Sequence, residues 1–219
     1  MSEYHDMALC DLRPLNSPAA IREITAIRDV GPLLLPKDAD EETAAALAGI
    51  PKQDVGMTLY LERDATVGVL TGMQELYAED FAQDKTHYLI NGLAVIHSLP
   101  EEGTTALYLN GIAVLHESLR GAAHVRFGMV NGLKFYRYFD RAKLFGNTAE
   151  LDAAFFDYLE PGTMVLAGNT LTLAPDVTVE QLRDGRFQFA AGNKIRCSRP
   201  LLPYVQAISS AGNTIEAYE

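Results

Sequence analysis

The chain has 219 residues, 48% of them hydrophobic and 21% charged, so it can bury a core and is neither disordered nor a minimal scaffold. Eighteen Lys and Arg against 29 Asp and Glu give a formal net charge of −11, which argues against a nucleic-acid or anionic-membrane binder. Two cysteines, Cys10 and Cys197, exclude a disulfide framework, and no apolar run approaches the roughly 20 residues of a membrane span. With no secretory leader pattern, we expect a cytoplasmic protein that binds neither nucleic acid nor membrane.

The N-terminal part contains the first internal similarity. Residues 1–20 are expected to be an N-terminal extension, and residues 21–219 a single repeat domain. Asp29-Val30-Gly31 recurs as Asp54-Val55-Gly56, 25 residues later, and an apolar run follows each copy. Between them, residues 40–49 begin with a capping Asp and acidic residues and end with Gly before Pro51, which predicts a short helix.

The middle part contains three clearer copies. Residues 90–97 (Ile-Asn-Gly-Leu-Ala-Val-Ile-His) recur 19 residues later at 109–116, and again 21 residues later at 130–137. A single Asn-Gly is typical of a hairpin turn, but three copies with matching apolar neighbours indicate a tandem array. Antiparallel hairpins that share a turn sequence are the alternative. No helix is predicted between residues 92 and 131.

Alternation within the middle copies makes both faces of the predicted strands apolar. A sheet that is apolar on both sides needs two covers, of which one is the interior of the array. The second cover is either a helix predicted at 149–159 or another protein chain. The candidate interface residues are Ile96, Leu115, Tyr136, Tyr138 and Phe139, the last three lying in an aromatic stretch typical of interface hot spots.

Two histidines, His97 and His116, occupy equivalent positions of successive copies, so stacked strands would bring them together. Such a pair is a candidate metal site or proton-linked switch, although the third copy has Arg137 at this position. Repeated surface histidines at a strand end are the preferred explanation of the pattern. No cofactor is expected, since the chain contains no phosphate-binding glycine loop and no nucleophile motif.

The C-terminal part reverses the polar pair from Asn-Gly to Gly-Asn, which indicates a change of coil geometry near residue 140. Ala-Gly-Asn recurs at 167–169, 191–193 and 211–213. In-register strands would stack Asn169, Asn193 and Asn213 into a hydrogen-bonded column. We therefore expect these asparagines to have a structural role and not to bind a ligand. Further helices are predicted at 149–159, capped at Asn147, from Thr178 to Gly185, and at 200–206.

Residues 164–171 resemble the strand core of a leucine-rich repeat, Leu-x-Leu-x-x-Asn-x-Leu, although the next two copies match it poorly. The asparagine-bearing copies equally resemble the coils of a right-handed parallel β-helix. We therefore predict a β-rich α/β repeat solenoid, with stacked parallel strands of about 19–25-residue repeats and short helical crossovers. A leucine-rich-repeat-like horseshoe is the alternative fold.

Neither resemblance implies a catalytic residue. The predicted function is a non-catalytic repeat scaffold for binding another protein or for homo-oligomerisation, because solenoids offer broad faces and exposed ends. One alternative is a carbohydrate-binding or carbohydrate-active protein with a groove lined by Tyr136, Tyr138 and acidic residues. Another is a metal or pH sensor centred on His97 and His116.

Overall fold

The computed structural model describes residues 2–81, 84–102 and 104–218. It is rich in β-structure, with parallel sheets of several strands and few helices, which confirms that part of the predicted fold. The described residues divide into two compact units, one comprising 2–68 and 84–89, the other 69–81, 90–102 and 104–218. The sequence predicts a single repeat domain over residues 21–219.

The first unit is a parallel sheet with two short helices. Its elements are β1 (Ser2–Met7), β2 (Cys10–Asp11), α1 (Pro18–Arg22), β3 (Ile24–Pro36), α2 (Glu41–Ala48) and β4 (Lys52–Leu61). β1, β2 and β4 all pair in parallel with the long β3. Residues 2–11, expected in an N-terminal extension, are therefore part of this sheet.

Local sequence explains the helix and the bends of this unit. The carboxylate of Asp40 accepts a hydrogen bond from the Thr43 backbone over 2.8 Å, which caps α2 as predicted. The pairing registers place Asp6, Asp29 and Asp54 in line, and all three have left-handed backbones with φ of 55°, 51° and 51°. Aspartate tolerates this conformation better than most residues, so the repeated aspartates mark one bend in successive strands.

The middle copies form one four-stranded sheet. Its strands are β5 (Val67–Leu76), β6 (His87–Ile96), β7 (Thr105–His116) and β8 (Val125–Arg137), arranged in that order. β7 and β8 pair in parallel, with Asn110 opposite Asn131 and His116 opposite Arg137, as the repeat predicts. Three-residue 3₁₀ turns follow β5 and β7 at Ala78–Asp80 and Glu117–Leu119.

A glycine allows each of these strands to approach its neighbour closely. Gly111 has φ +134°, and a Cβ built there would lie 2.1 Å from the carbonyl oxygen of Gly92. No side chain fits in that space, so glycine is required for both the backbone conformation and the close approach. This requirement explains the glycine in every copy.

From residue 141 onward, each repeat supplies one strand to each of two parallel sheets. The elements are β9 (Arg141–Phe145), β10 (Ala149–Leu151), α3 (Ala153–Asp157), β11 (Thr163–Ala167), β12 (Thr170–Leu173), α4 (Val179–Asp184), β13 (Gln188–Ala191), β14 (Lys194–Cys197), α5 (Leu202–Ile208), β15 (Ser209–Ala211) and β16 (Thr214–Ala217). One sheet has the order β9-β11-β13-β15 and the other β10-β12-β14-β16. Phe156, Phe189 and Ile195 belong to the apolar core of this part.

The helix predicted at 149–159 is wrong in its first half. Ala149 and Leu151 belong to β10 and pair with Leu171 and Leu173 of β12. The helix is the shorter α3, and its cap is Asp152, whose carboxylate accepts from the Phe155 backbone over 2.8 Å. The capping pattern at Asn147 was misleading because strand pairing with β12 takes precedence over a local helix signal.

The second cover of the middle sheet is neither a helix nor another chain. Leu93, Val95, Ile112 and Val114 of β6 and β7 pack against Met164, Leu166 and Ala190 of β11 and β13. The opposite face is also covered within the chain, since Ile96 and Leu115 are completely buried. The sheet β9-β11-β13-β15 is therefore apolar on both of its own faces.

Candidate functional site

His97 is held by an acidic and an aromatic partner. Its Nε2 lies 2.7 Å from a carboxylate oxygen of Glu75, which also accepts a hydrogen bond from the Tyr77 hydroxyl over 3.1 Å. The Tyr77 ring stacks on the imidazole at 4.3 Å, and the Phe139 ring meets its edge at 4.9 Å. His97 is thus fixed in orientation and retains little exposed surface.

His116 occupies the equivalent position one strand further on but has different partners. Its Nδ1 lies 2.7 Å from the hydroxyl of Ser118 and accepts the Ser118 backbone N–H over 3.3 Å. Phe139 contacts this ring too, edge to face at 5.4 Å, and Tyr138 does so at 6.1 Å. Phe139 therefore packs against both histidines.

The histidine pair does not form a metal centre of ordinary composition. Across residues 2–81, 84–102 and 104–218, no group of three or more His, Cys, Asp or Glu side chains could hold a metal ion. One nitrogen of His97 faces Glu75, and one nitrogen of His116 faces Ser118. These contacts account for the repeated histidines as supports for the aromatic residues that follow β8.

A cleft of about 290 Å³ opens beside His116. Its walls are formed by His116, Tyr138, Phe139, Asp140, Gly162, Arg186 and Gln188. Phe139, which is 5% exposed, forms the floor, whereas the ring of Tyr138 is 71% exposed at the rim. The cleft combines an aromatic surface with charged and amide groups.

Three successive turns place the polar groups of this cleft. Asp140, Gly162 and Arg186 directly precede the equivalent positions of β9, β11 and β13, as the strand registers show. The backbone N–H of Asp140 donates to Gly162 over 2.8 Å, and that of Gly162 donates to Gly185 over 2.7 Å. The three turns therefore stack. The first presents the carboxylate of Asp140, the second presents Gly162, which has no side chain, and the third presents the guanidinium of Arg186.

Gly162 brings the two charged groups together. A Cβ at this position would lie 2.2 Å from a carboxylate oxygen of Asp140, so a larger residue would displace that carboxylate. Arg186 Nη2 consequently lies 3.6 Å from Asp140 Oδ2. Arg186 has a left-handed backbone with φ 49°, a conformation that is unfavourable for arginine.

A second candidate surface is the open edge of β8. Among the described strands, β8 pairs only with β7 and so ends its sheet. Lys134 Nζ lies 3.9 Å from the centre of the Phe127 ring, and the Arg120 guanidinium lies 4.5 Å from that of Tyr136. Burial raises the pKa of the Tyr136 hydroxyl, which stays neutral beneath these cations. Arg120 also donates to the carboxylate of Glu117, so the edge combines aromatic rings with the cations Lys134 and Arg120 and one acidic partner of Arg120.

The five candidate interface residues have very different environments. Ile96 and Leu115 are 0% exposed and Phe139 is 5% exposed, so these three are corrected to core positions. The reason is the cover on both faces of the middle sheet, which is formed by the chain itself. Tyr136 is half-buried, and Tyr138 projects at the rim of the cleft.

The three asparagines of the predicted column are joined to one another through their backbones. The backbone N–H of Asn169 donates to Asn147 over 2.8 Å, Asn193 to Asn169 over 2.9 Å, and Asn213 to Asn193 over 2.8 Å. These bonds join successive turns between the two C-terminal sheets.

Asp140, Gly162 and Arg186 were not identified from the sequence. They share no residue type, so a search for recurring residues passes over them. Aligning the repeats on the strand positions that follow them would have placed the three in one column, 22 and 24 residues apart.

Comparison with known protein families, with curated proteins and with solved structures found no match. No helix within the described residues is both long enough and apolar enough to cross a lipid bilayer.

Proposed function

We propose that this chain is a non-catalytic β-solenoid scaffold that binds an extended acidic segment of a partner protein along the open edge of β8. The observation that carries the proposal is the composition of this edge. Residues 125–137 include Arg126, Lys134 and Arg137 but no acidic residue, although the chain has a formal charge of −11.

The proposed solenoid is supported by the parallel pairing of equivalent residues at the repeat spacing. From residue 141 onward, each repeat contributes to two sheets, which favours a β-helix-like coil over the single sheet of a leucine-rich-repeat horseshoe. The two thiols are free and buried, which supports a reducing, cytoplasmic location.

Strand addition is the binding mode that an open edge favours. The outer N–H and C=O groups of an edge strand are available to an added strand, and side-chain pairing then provides specificity. Met129 and Val130, 41% and 39% exposed, offer apolar contact near the centre of β8. Arg126 and Lys134 provide positive charge on this strand, so an acidic partner is favoured electrostatically. The guanidinium of Arg137 instead donates to Ser209 and Ser210 within the chain.

The same charges disfavour a second copy of this chain. Antiparallel pairing of β8 with its own copy, centred on Val130, would place Arg126 of each strand opposite Lys134 of the other. Like charges directly opposite one another destabilise strand pairing. Lysine on an edge strand is also a common means of preventing self-association.

The test uses fluorescence anisotropy with a fluorescein-labelled twelve-residue peptide of alternating Glu and Val, and a second peptide in which Lys replaces Glu. We expect only the acidic peptide to bind. Arg126→Glu/Lys134→Glu should weaken binding by at least about tenfold, equivalent to about 1.4 kcal/mol. The matched control, Lys143→Glu/Arg199→Glu, makes the same charge change at exposed positions elsewhere and should bind within about twofold of the original chain.

Three results would contradict the proposal. They are no binding of the acidic peptide, equal losses in the two double variants, and a dimer in light scattering that Arg126→Glu/Lys134→Glu dissociates. Circular dichroism of each variant verifies that it is folded.

A further inference from the structure

We propose that the cleft beside Tyr138 binds a neutral saccharide without cleaving it. The ligand surface is the column of Asp140, Gly162 and Arg186 together with the exposed face of Tyr138. The cleft begins just beyond the C-terminal end of β8 and none of its lining residues belongs to that strand, so the inference does not rest on the proposed scaffold function.

The aromatic wall supplies the apolar part of recognition. Tyr138 exposes 71% of its surface although its ring leans on His116, so its position is braced while much of its ring remains available. The face of an aromatic ring carries negative potential and attracts the polarised C–H groups on one side of a sugar ring. Stacking of this kind persists in a shallow, solvated site.

The polar wall is suited to hydroxyl groups. Asp140 accepts hydrogen bonds, Arg186 donates them, and their charged atoms are 3.6 Å apart. Adjacent hydroxyls of a sugar can donate to the carboxylate and accept from the guanidinium at this spacing. Gln188 adds an amide with both a donor and an acceptor at the same wall.

Charge balance argues against an ionic ligand. Asp140 and Arg186 neutralise each other, and both side chains are more than half exposed, so a charged ligand would gain little against water. A neutral polyhydroxyl ligand needs no net charge in the site. The cleft volume of about 290 Å³ lies at the lower end for small-molecule sites, which suits a single sugar unit of a chain.

Hydrolysis is not supported by the lining residues. Most glycosidases use two carboxyl groups, one as acid and one as base or nucleophile. Asp140 is the only carboxylate among the residues that form these walls. The site therefore has the groups for binding and lacks the pair for cleavage.

Backbone strain at Arg186 supports a functional role for that side chain. The equivalent position one turn earlier is Gly162, with φ +78°, and glycine adopts this conformation without strain. Arginine at φ 49° is unfavourable, and strain of this kind collects at functional sites. Arginine therefore stands at a position where glycine would give a more stable backbone conformation.

The first experiment applies the fluorescently labelled chain to an array of neutral and acidic glycans. We expect binding to at least one neutral glycan. Tyr138→Ala should weaken this binding by at least about tenfold, while Tyr158→Ala removes an even more exposed tyrosine elsewhere and should leave it unchanged. Failure to bind any neutral glycan, or equal effects of the two variants, would overturn the proposal, and so would binding confined to acidic glycans.

A second variant separates binding from folding. Arg186→Gly should raise the melting temperature, because glycine relieves the left-handed strain, while it weakens glycan binding by at least about tenfold. Unchanged glycan binding in this variant would show that the guanidinium has no part in the site. Peptide binding at the edge of β8 should be the same in both variants, so failure of this site is distinguishable from failure of the scaffold function.

Discussion

The side-chain amide of Asn110 donates a hydrogen bond to the side-chain oxygen of Asn91 over 2.9 Å, and Asn131 donates in turn to Asn110 over 2.8 Å. Three copies of one repeat are thereby joined through a single side-chain type. Asn110 takes part in both bonds, since it is a donor to one neighbour and an acceptor for the other.

Asn110→Ala is expected to lower the free energy of unfolding by about 1–3 kcal/mol, because it removes both bonds and leaves two half-paired amides. Asn131→Ala should cost less, since Asn131 is exposed and the bond between Asn91 and Asn110 survives. Urea unfolding followed by circular dichroism measures both. Equal losses would mean that the ladder does not act as a connected unit.

Gly111→Ala should be severely destabilising, by more than about 3 kcal/mol, because its Cβ would meet the Gly92 carbonyl oxygen at 2.1 Å. Gly121 is a matched control, with φ +74° and no atom within 4 Å of a built Cβ. Gly121→Ala adds only backbone strain and should cost about 1–2 kcal/mol. Similar losses in thermal unfolding would show that backbone conformation, and not close approach, is the reason for glycine at 111.

The ion pair between the buried Arg13 and the more exposed Asp11 predicts a loss of stability in acid. Burial by itself would raise the pKa of Asp11, but hydrogen bonds from the Arg13 guanidinium, at 2.8 and 3.0 Å, outweigh it and hold that pKa below its usual 3.8. At pH values between the folded and unfolded pKa of Asp11, this carboxyl group therefore binds more protons in the unfolded chain than in the folded chain. The stabilisation is complete above the usual pKa and is lost as pH falls through the lower, folded value.

Asp11→Asn should accordingly flatten the dependence of the urea midpoint on pH between about 5 and 3. Other carboxylates also titrate in this range, so the quantity to compare is the difference between the two proteins at each pH. Parallel curves for the variant and the original chain would show that Asp11 does not contribute.

The two thiols are expected to resist alkylation until the protein opens. Cys10 and Cys197 are both 0% exposed, and burial raises the pKa of Cys10 and raises that of Cys197 to about 11. Since the thiolate is the reactive form, both should react slowly in the native state. Each cysteine lies in a different unit.

Alkylation by iodoacetamide in Cys10→Ser and Cys197→Ser, across a urea series, should therefore report the opening of one unit at a time. A difference in midpoint between the two variants would show separate unfolding. Rapid alkylation of either thiol in native buffer would contradict the burial on which this prediction rests.

The sequence predicted the strand register correctly where repeat copies pair with one another. The copies at 109–116 and 130–137 predicted the register in which Asn110 lies opposite Asn131, because identical strands stack like residue over like. Prediction failed where partners are distant in sequence. Nothing near Leu93 or Ile112 indicates that Met164 and Ala190 will cover them. The burial of Ile96 and Leu115 on the opposite face of the sheet was equally unforeseen.

The cleft could be predicted only in part. Tyr138 and Phe139 stood out as an aromatic stretch, since single residues carry that signal. The polar column did not, because Asp140, Gly162 and Arg186 meet only when three turns are superimposed. A composite of three different residues has no signature within any one repeat.

At opposite positions of β7 and β8, Ala113 faces Lys134 and Leu115 faces Tyr136, so the edge strand carries charge and bulk that its neighbour lacks. A sheet of repeated strands can extend as long as its edge strand offers a surface on which another copy of that strand can pair. Because β8 differs from β7 in charge and side-chain size, we expect another strand like β7 to pair poorly with it. Lys134→Ala/Tyr136→Leu would give β8 the side chains of β7 at these positions. We expect chains with these two changes to associate edge to edge into fibres.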